Sequence, residues 1–265
     1  MRDLGTLTGG TSSAGRTIND LGQVTGSGNT GGGSNHAFRW TESGGMQDLG
    51  TLGGASSSGE AINGQGQVTG ASNSAEGLHA FLWTESGGMQ DLGTLGGRSS
   101  EGRGINAQGQ VTGASSTGPF NRTEHAFVWT ASDGMRDLGT LGGAFSLGIA
   151  INRQGHVTGI SATADGSTHA FVWTPSGGMR DLGTLGGGTS SSGQGINAKG
   201  QVTGFAGTAD FNTRAFVWTA SGGMRDLGTL SGGTTSLGQG INARGQVTGY
   251  GDTADGNMHA FVWKP

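Results

Sequence analysis

The sequence predicts an all-β chain: a six-bladed β-propeller, four antiparallel strands per blade, its ring closed by the N-terminal strand completing the last blade. Three observations predict it. Met-Arg/Gln-Asp-Leu-Gly-Thr-Leu begins at Met1, Met46, Met89, Met135, Met179 and Met224, at spacings of 45, 43, 46, 44 and 45 residues. All six tryptophans (Trp40, Trp83, Trp129, Trp173, Trp218, Trp263) hold one position of that unit. Repeats of this length, made of short strands, are propeller blades. The third observation concerns the ends. The sequence opens on the fourth strand of a unit, Met1–Leu7, and stops after the third, at Trp263. A strand from the start completing the last blade leaves no bare sheet edge there.

Each unit divides into four short extended pieces. In the second copy these are expected at Glu60–Asn63, Gln67–Ser72, His79–Trp83 and Met89–Leu95. Asn63-Gly64-Gln65-Gly66 recurs in all six copies as Asn-x-x-Gly, which suits a type I turn with glycine in the left-handed position. Ser86-Gly87-Gly88 makes the turn into the fourth strand. The third strand is bulky on one face and apolar on both, as in a blade buried between neighbours. The first strand is expected innermost, because the long link into it must span the blade. The blades fall at 8–52, 53–95, 96–141, 142–185, 186–230 and 231–265 plus 1–7, within one domain covering 1–265.

Composition agrees. Glycine contributes 60 residues and proline three, with 12% charged and 31% hydrophobic residues. There is no Gly-X-Y period, which excludes collagen, and the regular aromatic and aliphatic positions exclude a disordered tract. The net charge of −4 is spread along the chain, without the basic cluster that nucleic-acid binding needs. No apolar run reaches membrane-spanning length. Without cysteine there are no disulfides, thiolate metal sites or cysteine nucleophiles. Met1 already occupies a repeat position, so no signal peptide is expected in this chain.

Three motifs carry a resemblance. His-Ala-Phe-x-Trp-Thr stands at His36–Thr41, His79–Thr84, His125–Thr130 and His169–Thr174, beside Asp-Leu-Gly-Thr-Leu and Ile-Asn-x-x-Gly-Gln-Val-Thr-Gly. The unit resembles the HAF repeat, a family of predicted extracellular bacterial repeats, along essentially the whole chain. Copy five departs with Arg214-Ala215-Phe216, copy four carries His156 for glutamine, and the last copy ends Trp263-Lys264. The resemblance implies an extracellular setting and no particular reaction or cofactor. The strand layout also looks like that of NHL-type propellers, which speaks only to fold.

The repeated polar residues read as scaffold. His36, His79, His125, His169 and His259 are equivalent, but third strands lie about 9–10 Å further out than first strands, so histidines of different blades cannot share one ion. No metal or cofactor is expected. The bland role is a hydrogen bond within the blade, to the serine of the fourth-to-first-strand loop (Ser13, Ser57, Ser100, Ser146, Ser191, Ser236). Asp3, Asp48, Asp91, Asp137, Asp181 and Asp226 are expected to join such networks or bind turn amides. Asn19, Asn63, Asn106, Asn152, Asn197 and Asn242 are accounted for by their turn. Asp165, Asp210 and Asp252–Asp255 hint at calcium without the dense acidic spacing of a calcium loop.

Function is therefore sought where the copies differ, on the end bearing the loops before the first strand and after the second. Next to the axis the copies carry Arg16, Glu60, Arg103, Ile149, Gln194 and Gln239, half charged and half neutral. Glu101 stands where other copies have Leu147 and Leu237. Aromatics outside the core pattern are Phe120, Phe145, Phe205, Phe211 and Tyr250, expected in or beside loops. The leading expectation is a non-catalytic binding or interaction propeller presenting this face and an axial funnel to a glycan, small molecule or protein. Its expected ligand-binding residues are Arg16, Glu60, Arg103, Gln194, Gln239, Phe145, Phe205 and Tyr250. One alternative is a hydrolase or lyase with Glu60 or Glu101 as acid/base. Another is a structural surface module.

Overall fold

In a computed structural model, residues 1–118 and 123–265 are described. The chain is built of strands and divides into two compact units, Met1–Asp137 and Leu138–Pro265. Each unit is a series of antiparallel meanders, the strands pairing in chain order.

In the first unit, the first meander contains β1 (Ser13–Ile18), β2 (Val24–Asn29), β3 (Asn35–Thr41) and β4 (Gly45–Asp48). The second contains β5 (Gly53–Ile62), β6 (Val68–Ser74), β7 (Leu78–Thr84) and β8 (Gly88–Asp91). The third contains β9 (Ser100–Ile105), β10 (Val111–Ser116), β11 (Glu124–Thr130) and β12 (Gly134–Asp137). In the second unit, β13 (Gly142–Ile151), β14 (Val157–Thr163), β15 (Thr168–Thr174) and β16 (Gly178–Asp181) come first. They are followed by β17 (Gly187–Ile196), β18 (Val202–Thr208), β19 (Thr213–Thr219) and β20 (Gly223–Asp226). The last meander is β21 (Ser236–Ile241), β22 (Val247–Asp252) and β23 (Met258–Trp263).

Two strand limits differ from expectation. The fourth strand of the second copy ends at Asp91 instead of Leu95, because Asp91 Oδ1 accepts the Gly93 amide at 2.8 Å and Gly93 (φ +73°) turns the chain away. The first strand starts at Gly53, where pairing to Ser74 begins, and not at Glu60. At the start of the chain, Met1–Leu7 make no ladder within the first unit, although Leu7 is buried against Phe38 and Trp40. Among the described residues β23 pairs only with β22, and Val262 is 63% exposed where Val128, Val172 and Val217 are 5–6% exposed.

The Asn-x-x-Gly turn forms as expected. Gly66 donates to Asn63 O at 3.0 Å with φ +75°, and Asn63 Oδ1 accepts the amides of Gln65 and Gln67. The asparagine does more than turn the chain. Its Nδ2 reaches the next meander's asparagine carbonyl: Asn19 to Asn63 and Asn63 to Asn106 at 2.8 and 2.9 Å. In the second unit, Asn152 reaches Asn197 and Asn197 reaches Asn242, at 3.0 and 2.9 Å.

The core lies between meanders. In the first unit, Ala37 and Leu49 pack on Ile62, Val68, Phe81 and Trp83, and Ala80, Leu82 and Leu92 on Val111, Phe127 and Trp129. In the second, Ala170, Val172 and Leu182 pack on Val202, Phe216 and Trp218. Burying each such aromatic contributes roughly 1.5–3 kcal/mol. Because the meanders approach closely, only glycine fits at Gly59, where an added Cβ would strike Thr25 Oγ1 of the preceding meander. Thr25 is itself fully buried, its hydroxyl donating to Phe38 O at 2.7 Å.

Candidate functional site

Each first strand carries a β-bulge at one shared register, and β5, β13 and β17 have a second register shift nearer their start. In β1 the ladder jumps from Gly15↔Gly26 to Thr17↔Thr25, leaving Arg16 unpaired. The same jump leaves Glu60 unpaired in β5 and Arg103 in β9. In the second unit it leaves Ile149, Gln194 and Gln239 unpaired in β13, β17 and β21. These are the six variable residues singled out next to the axis. Each stands within its strand as an extra residue that kinks the strand and re-aims a side chain. The repeated Val-Thr-Gly explains the bulge locally. A Cβ at Gly26, Gly70 or Gly113 would collide with the bulged strand's carbonyl oxygen, as it would at Gly159, Gly204 and Gly249.

In the first unit this row is charged. Arg16 is exposed, its Nη2 3.9 Å from Glu60 Oε1, and Glu60 also accepts the Ser58 hydroxyl at 3.0 Å. Arg103 Nη2 donates to Glu101 Oε2 at 2.8 Å within β9. Apart from Glu101, the residues flanking the bulges are small: Ala14 pairs with Ser27, Ser58 with Ala71, and Glu101 with Ala114.

In the second unit the row is neutral, and its flanking pairs are large. Leu147 pairs with Ile160, Ser192 with Phe205, and Leu237 with Tyr250. Gln194 Nε2 donates to Ser192 Oγ at 2.7 Å. Tyr250 is 40% exposed and Phe205 half-buried. Phe205, Tyr250 and Phe145 therefore lie in strands and not in loops, Phe205 and Tyr250 at one repeat position. Only Phe211 stands in a turn, 98% exposed at φ +62°. Phe120 lies outside the described residues.

Four of the five repeated histidines bond within their meanders, but to aspartate and not to serine. His79 Nδ1 donates to Asp91 at 2.8 Å, and His36, His125 and His169 do the same to Asp48, Asp137 and Asp181. One turn separates the pair in sequence, and β7 and β8 put Phe81 opposite Asp91, which brings the carboxylate beside His79. The serine has a different task. Ser57 Oγ donates to Gly50 O and accepts the amide of Ala37 in the preceding meander. Ser100, Ser191 and Ser236 repeat the bridge to Ala80, Ala170 and Ala215.

The aspartate loops close on themselves. Thr163 and Thr208 hydroxyls bond Asp165 and Asp210, and in the last loop Asp255 takes the Thr253 hydroxyl at 2.5 Å and the Asn257 amide side chain at 2.6 Å. These hydrogen bonds, the Thr253 hydroxyl foremost, hold the Asp255 carboxyl down at about 2.

No known family pattern matches the chain. No curated protein matches it either. Among solved structures it is similar to a puromycin-hydrolyzing peptidase of Mycobacterium tuberculosis, at 14% identity over 96% of this chain and 43% of that one, TM-score 0.58. TolB from Acinetobacter baumannii matches at 10% identity over 92% of this chain and 64% of its own, TM-score 0.54. The BP39L lectin from Burkholderia pseudomallei matches at 12% identity over 96% and 81%, TM-score 0.52. The chain thus spans under two thirds of the peptidase and of TolB. At such identities the likeness shows the fold alone, that of a β-propeller.

Proposed function

We propose that this chain is a non-catalytic binding propeller that presents its first-strand bulge residues, and the large side chains beside them, to a glycan, small molecule or protein. One observation carries the reading: the bulge recurs six times at one register, while the residue on it changes from Arg16, Glu60 and Arg103 to Ile149, Gln194 and Gln239. Constant backbone with a varied, re-aimed side chain is how a scaffold carries a recognition surface. Exposed Tyr250 and the glutamines supply an apolar face with a few polar groups, the usual makeup of a ligand site. Glu101 is tied to Arg103, which gives no support to its use as an acid.

The finer architecture belongs to the same proposal: six four-strand blades in a closed ring, Met1–Leu7 serving as the outer strand beside β23. Support comes from what the last meander lacks. The amides of Ala37, Ala80, Ala170 and Ala215 each donate to a serine hydroxyl of the next meander. Ala260 is the next in that series, and Ser13 is the serine left over. The HAF-repeat resemblance supports an extracellular setting.

The test is a glycan array and a thermal-shift ligand screen, followed by Phe205→Ala and Tyr250→Ala. A ligand that raises the melting temperature of the parent and of neither folded variant is the expected result. Variants that bind like the parent place the site elsewhere.

A further inference from the structure

Arg39 breaks the repeat in a place where charge is costly. It occupies the variable position of His-Ala-Phe-x-Trp, which holds Leu82, Val128, Val172, Val217 and Val262 in the other copies. It is only 8% exposed. Its guanidinium lies over the ring of Trp83, 4.7 Å from the centroid. In the second unit that stack comes from an exposed fourth-strand arginine, Arg180 over Trp218 and Arg225 over Trp263 at 5.0 and 5.3 Å, while the second meander carries Gln90 at that position and no arginine on its third strand. The fourth-strand residue of the first meander is instead Gln47. Stacking alone would be served by an arginine there, in water. Here the cation has moved to the buried strand, and the shorter Gln47 leaves a cavity of about 470 Å³ in front of it.

The cavity's chemistry is polar. Arg39, Gln23, Gln47, Thr41, Ser43 and Glu85 line it, with the glycines of the turn. Arg39 Nη2 donates to Gln47 Oε1 at 3.1 Å and to the Glu85 carboxylate, while its buried Nε has no partner. A guanidinium withdrawn from water needs an anion against it. Its present anion stands at the surface, the Glu85 side chain being 69% exposed. The cation is fixed by burial and stacking, while the carboxylate opposite it faces solvent and can be exchanged for another.

We propose that this cavity binds a small hydroxylated carboxylate, an aldonic or uronic acid, whose carboxylate replaces that of Glu85 on Arg39. Arginine pairs with a planar carboxylate through parallel N–H bonds. The amides of Gln23 and Gln47 and the hydroxyls of Thr41 and Ser43 meet the ligand's own hydroxyls. The volume lies in the range of small-molecule sites. This site uses other residues than the bulge row and stands or falls apart from it.

Isothermal titration of the full chain tests it, with glucuronate, glucose and oligogalacturonate as probes. Glucuronate or oligogalacturonate should bind and glucose should not; whichever acid binds tighter tells whether the ligand arrives free or within a polymer. Glu85→Gln, which removes the internal competitor, should tighten binding roughly tenfold. Arg39→Leu, the residue of the second copy, should abolish it. Should that variant not fold, Gln47→Arg decides, since it restores the exposed arginine and fills the cavity. Binding retained in a folded Arg39→Leu or Gln47→Arg variant overturns the proposal. So does glucose binding equal to glucuronate, or the absence of acid binding to Glu85→Gln.

Discussion

Ser57 Oγ accepts the amide hydrogen of Ala37 at 2.8 Å, across the gap between two meanders, while giving its own proton to Gly50 O. One hydroxyl thereby satisfies two backbone groups that packing has cut off from water. Ser57 is 4% exposed and Ala37 fully buried. Substituting Ser57→Ala strands both groups, which costs about 1–3 kcal/mol. Denaturant unfolding should show that loss as a lowered midpoint with an unchanged slope. An unchanged midpoint would mean that water replaces the hydroxyl freely.

The close approach between meanders gives a second, paired expectation. Gly59→Ala places a methyl group against Thr25 Oγ1 and should destabilise by about 1–3 kcal/mol. Gly64→Ala, in the adjoining turn, meets nothing within 4 Å. Gly64 has no positive φ, so this substitution should be neutral or stabilise by about 0.4–1 kcal/mol. Thermal melts of the two variants, run side by side, separate steric approach from a general intolerance of side chains in this glycine-rich chain.

Acid provides a third. The Asp255 carboxyl is held at about 2 against its ordinary 3.8, first by the Thr253 hydroxyl and then by the Asn257 side chain. A depressed folded value means the loop's stabilisation is present above the ordinary carboxylate range and lost as pH falls through about 2. An NMR titration of the Asp255 carboxyl should find its midpoint near 2 and Thr253→Ala should move it toward 3.8. A parent midpoint already at the ordinary value would show that the loop is open in solution.

Much of the architecture is legible in the residues, because turns and strand periods are local. Asn63 and Gly66 announce their turn, and Phe81 and Trp83 their buried strand. The partner of His79 is not legible. Serine and aspartate both recur once per copy, and only the register of β7 against β8 selects Asp91. The bulges are hidden for a related reason. Arg16, Glu60 and Arg103 stand out as variable, but the kink that displays them arises from ladder pairing opposite Gly26, Gly70 and Gly113. Arg39 was readable as a departure from Leu or Val, yet its meaning depends on the paired change at Gln47, in another strand. Phe205 and Tyr250, expected in or beside loops, sit in second strands; what marked them was size at a position that holds Ser27, Ala71 and Ala114 elsewhere.

The central claim is that the bulge residues bind and the repeats carry them. It is tested most directly by a variant in which Arg16, Glu60, Arg103, Gln194 and Gln239 are all alanine. None of the five is paired in its ladder, so the variant should keep the parent's strand content and melt within a few degrees of it. Titrated with the ligand that stabilises the parent in the screen, it should bind at least roughly tenfold more weakly. A folded variant that binds with the parent's affinity would contradict the account.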